Sequence, residues 1–319
     1  MSGGGSRGSY EAGAMWGMYN AAEDKSIFEY DVVTGVSAGA INAFAYSLFE
    51  KGDEVNALNV LSETWQSMTE KDLLHRWFPF GIVTGIKKHS GVFNTDHLHS
   101  YISNFANKYG GKPKRMLGVS AVDSNTGTYQ VFNETVSDPI KAVMSSSAIP
   151  FVFPDQKWAD GSVDMDGGSV WNLNLVTAVK RCREIVDNDS QINIDIVSVH
   201  SGKKLKTWND RDSAVSNFLR FRDIQLYYNS IRDVQEFKQA FPLVNFRYYV
   251  APTQDIPGGI DIINVNNATI TWPLQVLGRS DGANAVKGTK PGESFKQLDE
   301  DYAEYLSFMK GNTPLEFMQ

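Results

Sequence analysis

The 319 residues carry 37 acidic against 30 basic side chains, for a net charge of −7, with both signs interspersed along the chain. No basic stripe is available to hold a phosphate backbone, so nucleic acid is excluded as an expected partner. A single cysteine, Cys182, rules out an intrachain disulfide and fits a reducing compartment, either cytoplasm or the periphery of a membrane. Hydrophobic residues make up 42% of the chain, ample for a core, and no apolar run approaches the ~20 residues of a membrane-spanning helix.

Helix and strand signals alternate through the first two thirds. A helix rich in small residues is expected from Ser9 to Glu23, then a short buried strand at Asp31–Gly35, then a helix from Ala38 closed by Gly52. Further helical patterns cover Val55–Met68 and Thr95–Gly111, the latter opening on a polar cap and ending on glycines. Arg115–Asp123 and Thr128–Glu134 read as strands around an Ser-Asn-Thr-Gly turn. Asp138–Pro150 is a helix stopped by proline, and Leu175–Val186 a helix preceded by a loop rich in Asp and Gly. Ile192–His200 reads as a strand, Ser213–Phe241 as a long helix, Leu243–Pro252 as a strand and Ser294–Met309 as an amphipathic helix. Strands spaced by helices predict an α/β layered fold with a mostly parallel sheet, in one domain over 1–319. The aromatic segment His75–Ile86 is expected to cover the core, ahead of the reading in which it contacts lipid. Phe218, Phe221, Leu226 and Tyr227 are likewise expected to face the core.

The most informative stretch is Gly-Val-Ser-Ala-Gly, Gly35 to Gly39, which lies between a strand of β-formers and a helix of small residues. A G-x-S-x-G pattern in that context is a nucleophile elbow, where a strained turn projects the Ser37 hydroxyl while the following helix points its N-terminal amides at the reaction centre. Taken alone, the five residues also fit a small turn that lets a helix pack on a strand. Gly3, Gly4 and Gly5 precede a helix and can turn backbone N–H groups inward, as an oxyanion requires. A phosphate loop is the rival, but the Lys and Ser/Thr of that motif are absent. Arg7 is placed to pin this loop or to meet a lipid phosphate. Two candidates stand for the base. His200, among His75, His89, His97, His99 and His200, alone follows the serine at the end of a predicted strand, and Asp166 sits on an Asp-Gly-Gly turn with Gly167.

Taken together, "GGGSRG", "GVSAG", "SSSAIPFVFP" and "DGGSVWNLNL" resemble the patatin-like phospholipases, in order and at fitting separations, over about the first 175 residues. The resemblance implies a three-layer α/β/α fold with a mostly parallel central sheet. It further implies a Ser–Asp dyad of Ser37 as nucleophile and Asp166 as base, with no metal or cofactor. Amides of Gly3 to Gly5 would form the oxyanion hole, supported by Arg7, Gly35, Gly39 and Gly167, and the substrate would be a phospholipid or other acyl lipid met at a membrane surface. Asp160, in a second Asp-Gly pair, is the decoy. Leu175 stands where the family usually places a proline or its neighbour. Family members also run a hydrophobic strand into the glycine loop, whereas here only Met1 and Ser2 precede Gly3. The strand is therefore expected to be missing and the loop to fray as a terminus. The alternatives left open are a Ser-His-Asp esterase using His200 and a catalytically silent lipid-binding scaffold.

Overall fold

The computed structural model describes residues 1–79, 81–200, 213–257, 263–287 and 289–309. Small-residue helix α1 (Gly8–Ala21) leads to strand β1 (Val32–Val36), helices α2 (Ala38–Ser47), α3 (Glu54–Ser67) and α4 (Glu70–Leu73), and the short strand β2 (His75–Arg76). Then follow α5 (Ile82–Lys88), β3 (Phe93–Asn94), α6 (Asp96–Lys108), the hairpin β4 (Met116–Asp123) and β5 (Tyr129–Phe132), and α7 (Pro139–Ser146). The chain continues through β6 (Gln156–Lys157), β7 (Val163–Asp166), α8 (Leu175–Cys182), β8 (Asn193–Val197), α9 (Ala214–Ala240), β9 (Asn245–Val250), α10 (Trp272–Val286) and α11 (Lys296–Met309).

The sheet is mixed, with parallel strands at its centre. β1 runs parallel to β4, with Val36 opposite Ser120, and β8 and β9 form a separate parallel pair. β5 and β7 are both antiparallel to β4 and share its residues Ala121 and Val122, so they occupy opposite edges of it. Because β5 also overlaps the stretch of β4 paired with β1, β7 must lie on β1's side. Strand β7 therefore extends the same edge where β1 stops, and it runs toward β1. Its last residue, Asp166, pairs with Ala121, one step beyond the Val36–Ser120 pair. The two strands meet tip to tip.

The two faces of the sheet feed separate cores, which is what makes the arrangement three-layered. On β8, Ile194 and Ile196 pack with Leu175 and Val179 of α8 and Val234 of α9. Val197 and Val199 join the opposite core, which holds Phe44, Leu61, Trp65 and Leu98 from α2, α3 and α6.

The expected fraying of the first residues is corrected. The Met1 nitrogen donates to Thr34 O (2.9 Å) and Met1 O accepts from Val36 N (3.3 Å), which is the bonding of a parallel strand against β1. Ser2 N donates to Val197 O (3.2 Å) and Ser2 Oγ accepts from Val199 N (2.9 Å), so Ser2 reaches the end of β8 and the residues just after it. Ser2 is fully buried. Bonding on both sides holds these first residues in place.

Some elements escape the hydrophobic pattern. β7 lies inside the stretch expected to be a loop, because its buried positions are Asp164 and Asp166 while Val163 and Met165 are only half-buried. On α10, Leu274 and Val286 share the buried face with Gln275, Gly278, Asp281 and Gly282. Its partner is α1, and the two helices approach backbone to backbone. A Cβ on Gly13 would stand 2.2 Å from Gln275 O, one on Gly17 the same distance from Arg279 O, and one on Gly278 only 2.1 Å from Tyr10 O. Tyr10 Oη seals this contact on Asp281 (3.1 Å). Since only backbone atoms would have to give, Gly13→Ala should separate the helices and cost about 3 kcal/mol in urea unfolding. A loss below about 0.5 kcal/mol would contradict the close approach.

Candidate active site

Ser37 follows β1 with φ 55° and ψ −122°, a conformation favouring glycine. Such a backbone turns the chain straight from strand into helix, and the neighbours show why glycine flanks it. A Cβ on Gly35 would lie 2.0 Å from Gly39 O, and one on Gly39 would lie 2.6 Å from both Met1 O and Ser2 O. The corner is held from outside by the serine run at the end of α7. Ser146 Oγ accepts from Ser37 N (2.9 Å), and Ser147 Oγ donates to Ser37 O (3.2 Å).

Asp166 arrives at the end of β7 and is buried, as is Ser37. Its N–H donates to Ala148 O (2.9 Å) and its Oδ1 accepts from Gly168 N (2.7 Å), which fixes the carboxylate. The Ser37 hydroxyl lies near enough to it to favour its charged form. Burial pushes the Asp166 pKa above the usual 3.8, against opposing pulls from the Arg222 charge, the Ser37 hydroxyl and the Gly168 amide. Gly167 must be glycine, since a Cβ would lie 2.4 Å from Ser120 O. Asp160 lies elsewhere, in an exposed turn where it accepts from Ser162 N (3.0 Å) and Ser162 Oγ (2.8 Å).

The glycine loop passes directly over the serine. A Cβ on Gly3 would stand 2.9 Å from Ser37 Cβ and 2.5 Å from Asn172 Oδ1. Gly3 is not a free donor: its N–H goes to Asn172 O (3.2 Å), and its carbonyl accepts from Asn172 Nδ2 (3.0 Å). The expectation that Gly3 shares in an oxyanion hole is thereby corrected. The Gly4 and Gly5 amides donate to no described residue, and Gly5 takes φ 60°. Arg7, 6% exposed, donates through Nε to Pro257 O (2.6 Å) and pairs with Asp223 of α9 (3.0 Å), so it pins the loop.

His200 sits at the far side of Asn172, its Nδ1 3.3 Å from Asn172 Nδ2, and its Nε2 is buried without a hydrogen-bond partner among the described residues. Burial, with the nearby Arg7 charge, holds its pKa down to about 3, so the ring is neutral at pH 7. The remaining histidines lie apart, His75 stacked on His97 (4.0 Å between centroids) and His89 on Trp77 (3.6 Å).

Residues without an assigned role at the sequence level complete the frame. Glu11 accepts from Ser2 N (2.6 Å) and from Asn42 Nδ2 (2.9 Å), joining the glycine loop to α2 below Ser37. Burial raises its pKa to about 7. A mid-helix glutamate gives no signal that it will be swallowed, whereas Ser146, Ser147 and Asn172 lie in stretches the motifs already mark. Beside Ser37 lies a narrow apolar cavity of about 30 Å³, walled by Ile41, Trp65, Met68, Leu98, Ile149 and Phe153. Among the described residues no three His, Cys, Asp or Glu side chains are grouped to hold a metal.

No curated protein matches the sequence. Among solved structures, VipD from Legionella pneumophila is similar with a TM-score of 0.41 and 12% identity, over 94% of this chain. This chain spans 66% of that protein's length. The model of the patatin-like phospholipase family, whose members are lipid acyl hydrolases, matches residues 1–179, from the glycine loop through β1, Ser37, Asp166 and into α8, and the chain belongs to that family.

Proposed function

We propose that the protein hydrolyses carboxylic esters of acyl lipids through Ser37 and Asp166. The observation that carries the reading is the meeting of β1 and β7 on one edge of β4, which sets the buried Asp166 carboxylate beside a buried serine at a corner whose backbone is held in a left-handed conformation. Asp166 takes the hydroxyl proton as Ser37 Oγ bonds to the ester carbonyl carbon, and the oxyanion forms against the Gly4 and Gly5 amides. The proton passes to the departing alcohol as the C–O bond breaks, leaving the acyl-enzyme. Water, deprotonated by Asp166, then adds to the acyl carbon, and Ser37 leaves with the returned proton as the fatty acid is released.

The apolar walls beside Ser37 match the chemistry of an acyl chain, which would have to part them to enter. His200 is poorly placed to act as base: its bonded partner is Asn172, and its low pKa makes it a weak proton acceptor. The chain beyond residue 179 belongs to the same catalytic unit, because Asp223 and Pro257 hold Arg7 and Asp281 holds α1.

Fatty-acid release from phospholipid vesicles tests this reading. Ser37→Ala should abolish release, Asp166→Asn should lower it by about a thousandfold, and Asp160→Asn should leave it unchanged. Retained release in Asp166→Asn would remove the aspartate from the mechanism. Because the base works as a carboxylate, the rate should fall as pH drops through the Asp166 pKa, with a midpoint above the usual 3.8. A limb at or below that value would contradict the buried base. The corner also stores strain, so Ser37→Gly should be more stable than Ser37→Ala by about 1 kcal/mol in urea unfolding, both variants lacking the hydroxyl.

A further inference from the structure

Helix α5 is built inside out. Its buried residues are Thr84 and Gly85, and Gly85 lies so close to the following segment that a Cβ would stand 2.6 Å from Val92 O. Its apolar residues face solvent instead: Ile82 is 41% exposed, Val83 54% and Ile86 60%, and Phe78 just ahead of them is 92% exposed. Trp77 does not share this exposure, since its Nε1 donates to Gly91 O (3.0 Å) and its ring stacks on His89. This face departs from the expectation that the segment covers the core; Phe80 lies outside the described residues.

The charge around the face is as uneven as its hydropathy. Between Asp72 and Asp96 the sequence contains no acid, only Arg76, Lys87 and Lys88 with His75 and His89, in a chain whose net charge is −7. Arg76, Lys87 and Lys88 are all exposed. Large apolar side chains ringed by cations are the composition of helices that lie in the headgroup zone of an anionic bilayer. A second copy of the chain fits less well, because a two-fold contact would bring the same cations together.

The face is also tied to the site. Val92 N donates to Phe151 O (2.9 Å) and Phe93 N to Val152 O (3.0 Å), so the segment that α5 rests on is laced to residues 151 and 152. These connect Ile149 to Phe153, two walls of the cavity beside Ser37. We propose that Phe78 and the Ile82–Val83–Ile86 face of α5, with Arg76, Lys87 and Lys88, form a docking surface for an anionic phospholipid bilayer that brings the cavity mouth to the membrane. The proposal rests on the lipid-hydrolase reading for its purpose, but not for its test.

The full chain carrying Ser37→Ala, which spares the vesicles, is sedimented with phosphatidylcholine vesicles with and without about 30% phosphatidylglycerol. Binding to the anionic vesicles should weaken with salt. The combined change Ile82→Ser, Val83→Ser and Ile86→Ser should lower the partition coefficient at least tenfold. Lys87→Glu with Lys88→Glu should remove most of the preference for anionic lipid. Restored to Ser37, both sets of variants should hydrolyse a soluble short-chain ester at the unsubstituted rate, which shows that they fold. Equal vesicle binding with and without the three serines would overturn the proposal. So would a concentration-dependent dimer that those serines dissolve while vesicle binding persists. Vesicle binding that meets these expectations, in a protein that cleaves no ester, would instead sink the hydrolase reading and leave the docking surface standing.

Discussion

The meeting of β1 and β7 on one edge of β4 is the constraint from which the site follows. Two strands that share an edge and run toward each other leave no ladder position between their ends, so the chain must leave the sheet at both. At the end of β1 it leaves through Ser37 into α2, and at the end of β7 through Gly167 beneath the Ser120 carbonyl. A hydroxyl and a carboxylate on the two exit residues are thereby brought together without either being carried on a long loop. Precision comes from the sheet.

A second constraint is the closeness of backbones around that point. Gly35 lies against Gly39, and Gly39 in turn lies under the Met1 and Ser2 carbonyls, so β1, α2 and the first residues are stacked with no side chain between them. Contacts this tight position the glycine loop only if the polar groups they bury are satisfied. Glu11 does that, accepting from Ser2 below the loop and from Asn42 on α2, while Asn42 Oδ1 accepts from Trp65 Nε1 (2.7 Å) at the wall of the cavity. Burial still raises its pKa to about 7 with those bonds made, the direction expected when a carboxylate leaves water.

What the sequence discloses and what it hides divide along the same physical line. The strand, corner and helix around Ser37 were legible because a run of β-formers, a glycine-flanked serine and a small-residue helix are all local signals. The glycine loop was legible for the same reason, but the loss of Gly3 as a donor was not, since it depends on Asn172 from the other end of the site. Hydrophobic periodicity failed wherever the buried face is not wholly hydrophobic. β7 buries aspartates, α10 buries glycines and a glutamine, and α5 buries a threonine and a glycine while exposing isoleucines. Each of these exceptions sits beside the site or holds a part that does. Fold-level pattern breaks where a face has been given to something other than the core.

The electrostatics of the two candidate bases carry this one step further. Asp166 and His200 are both buried, and burial disfavours the charged form of each, but with opposite consequences for proton transfer. For the carboxylate, desolvation makes the ionised form a stronger acceptor, and the Ser37 hydroxyl, the Gly168 amide and Arg222 favour that form. For the imidazole, desolvation and the Arg7 charge make the protonated form expensive, so a proton taken from a serine would find no stable seat there. A buried environment therefore strengthens an acid's conjugate base and weakens a neutral one. His200, bonded through Asn172 to the Gly3 carbonyl, is left as a strut for the loop, and Asp166 is the candidate base whose basicity burial increases.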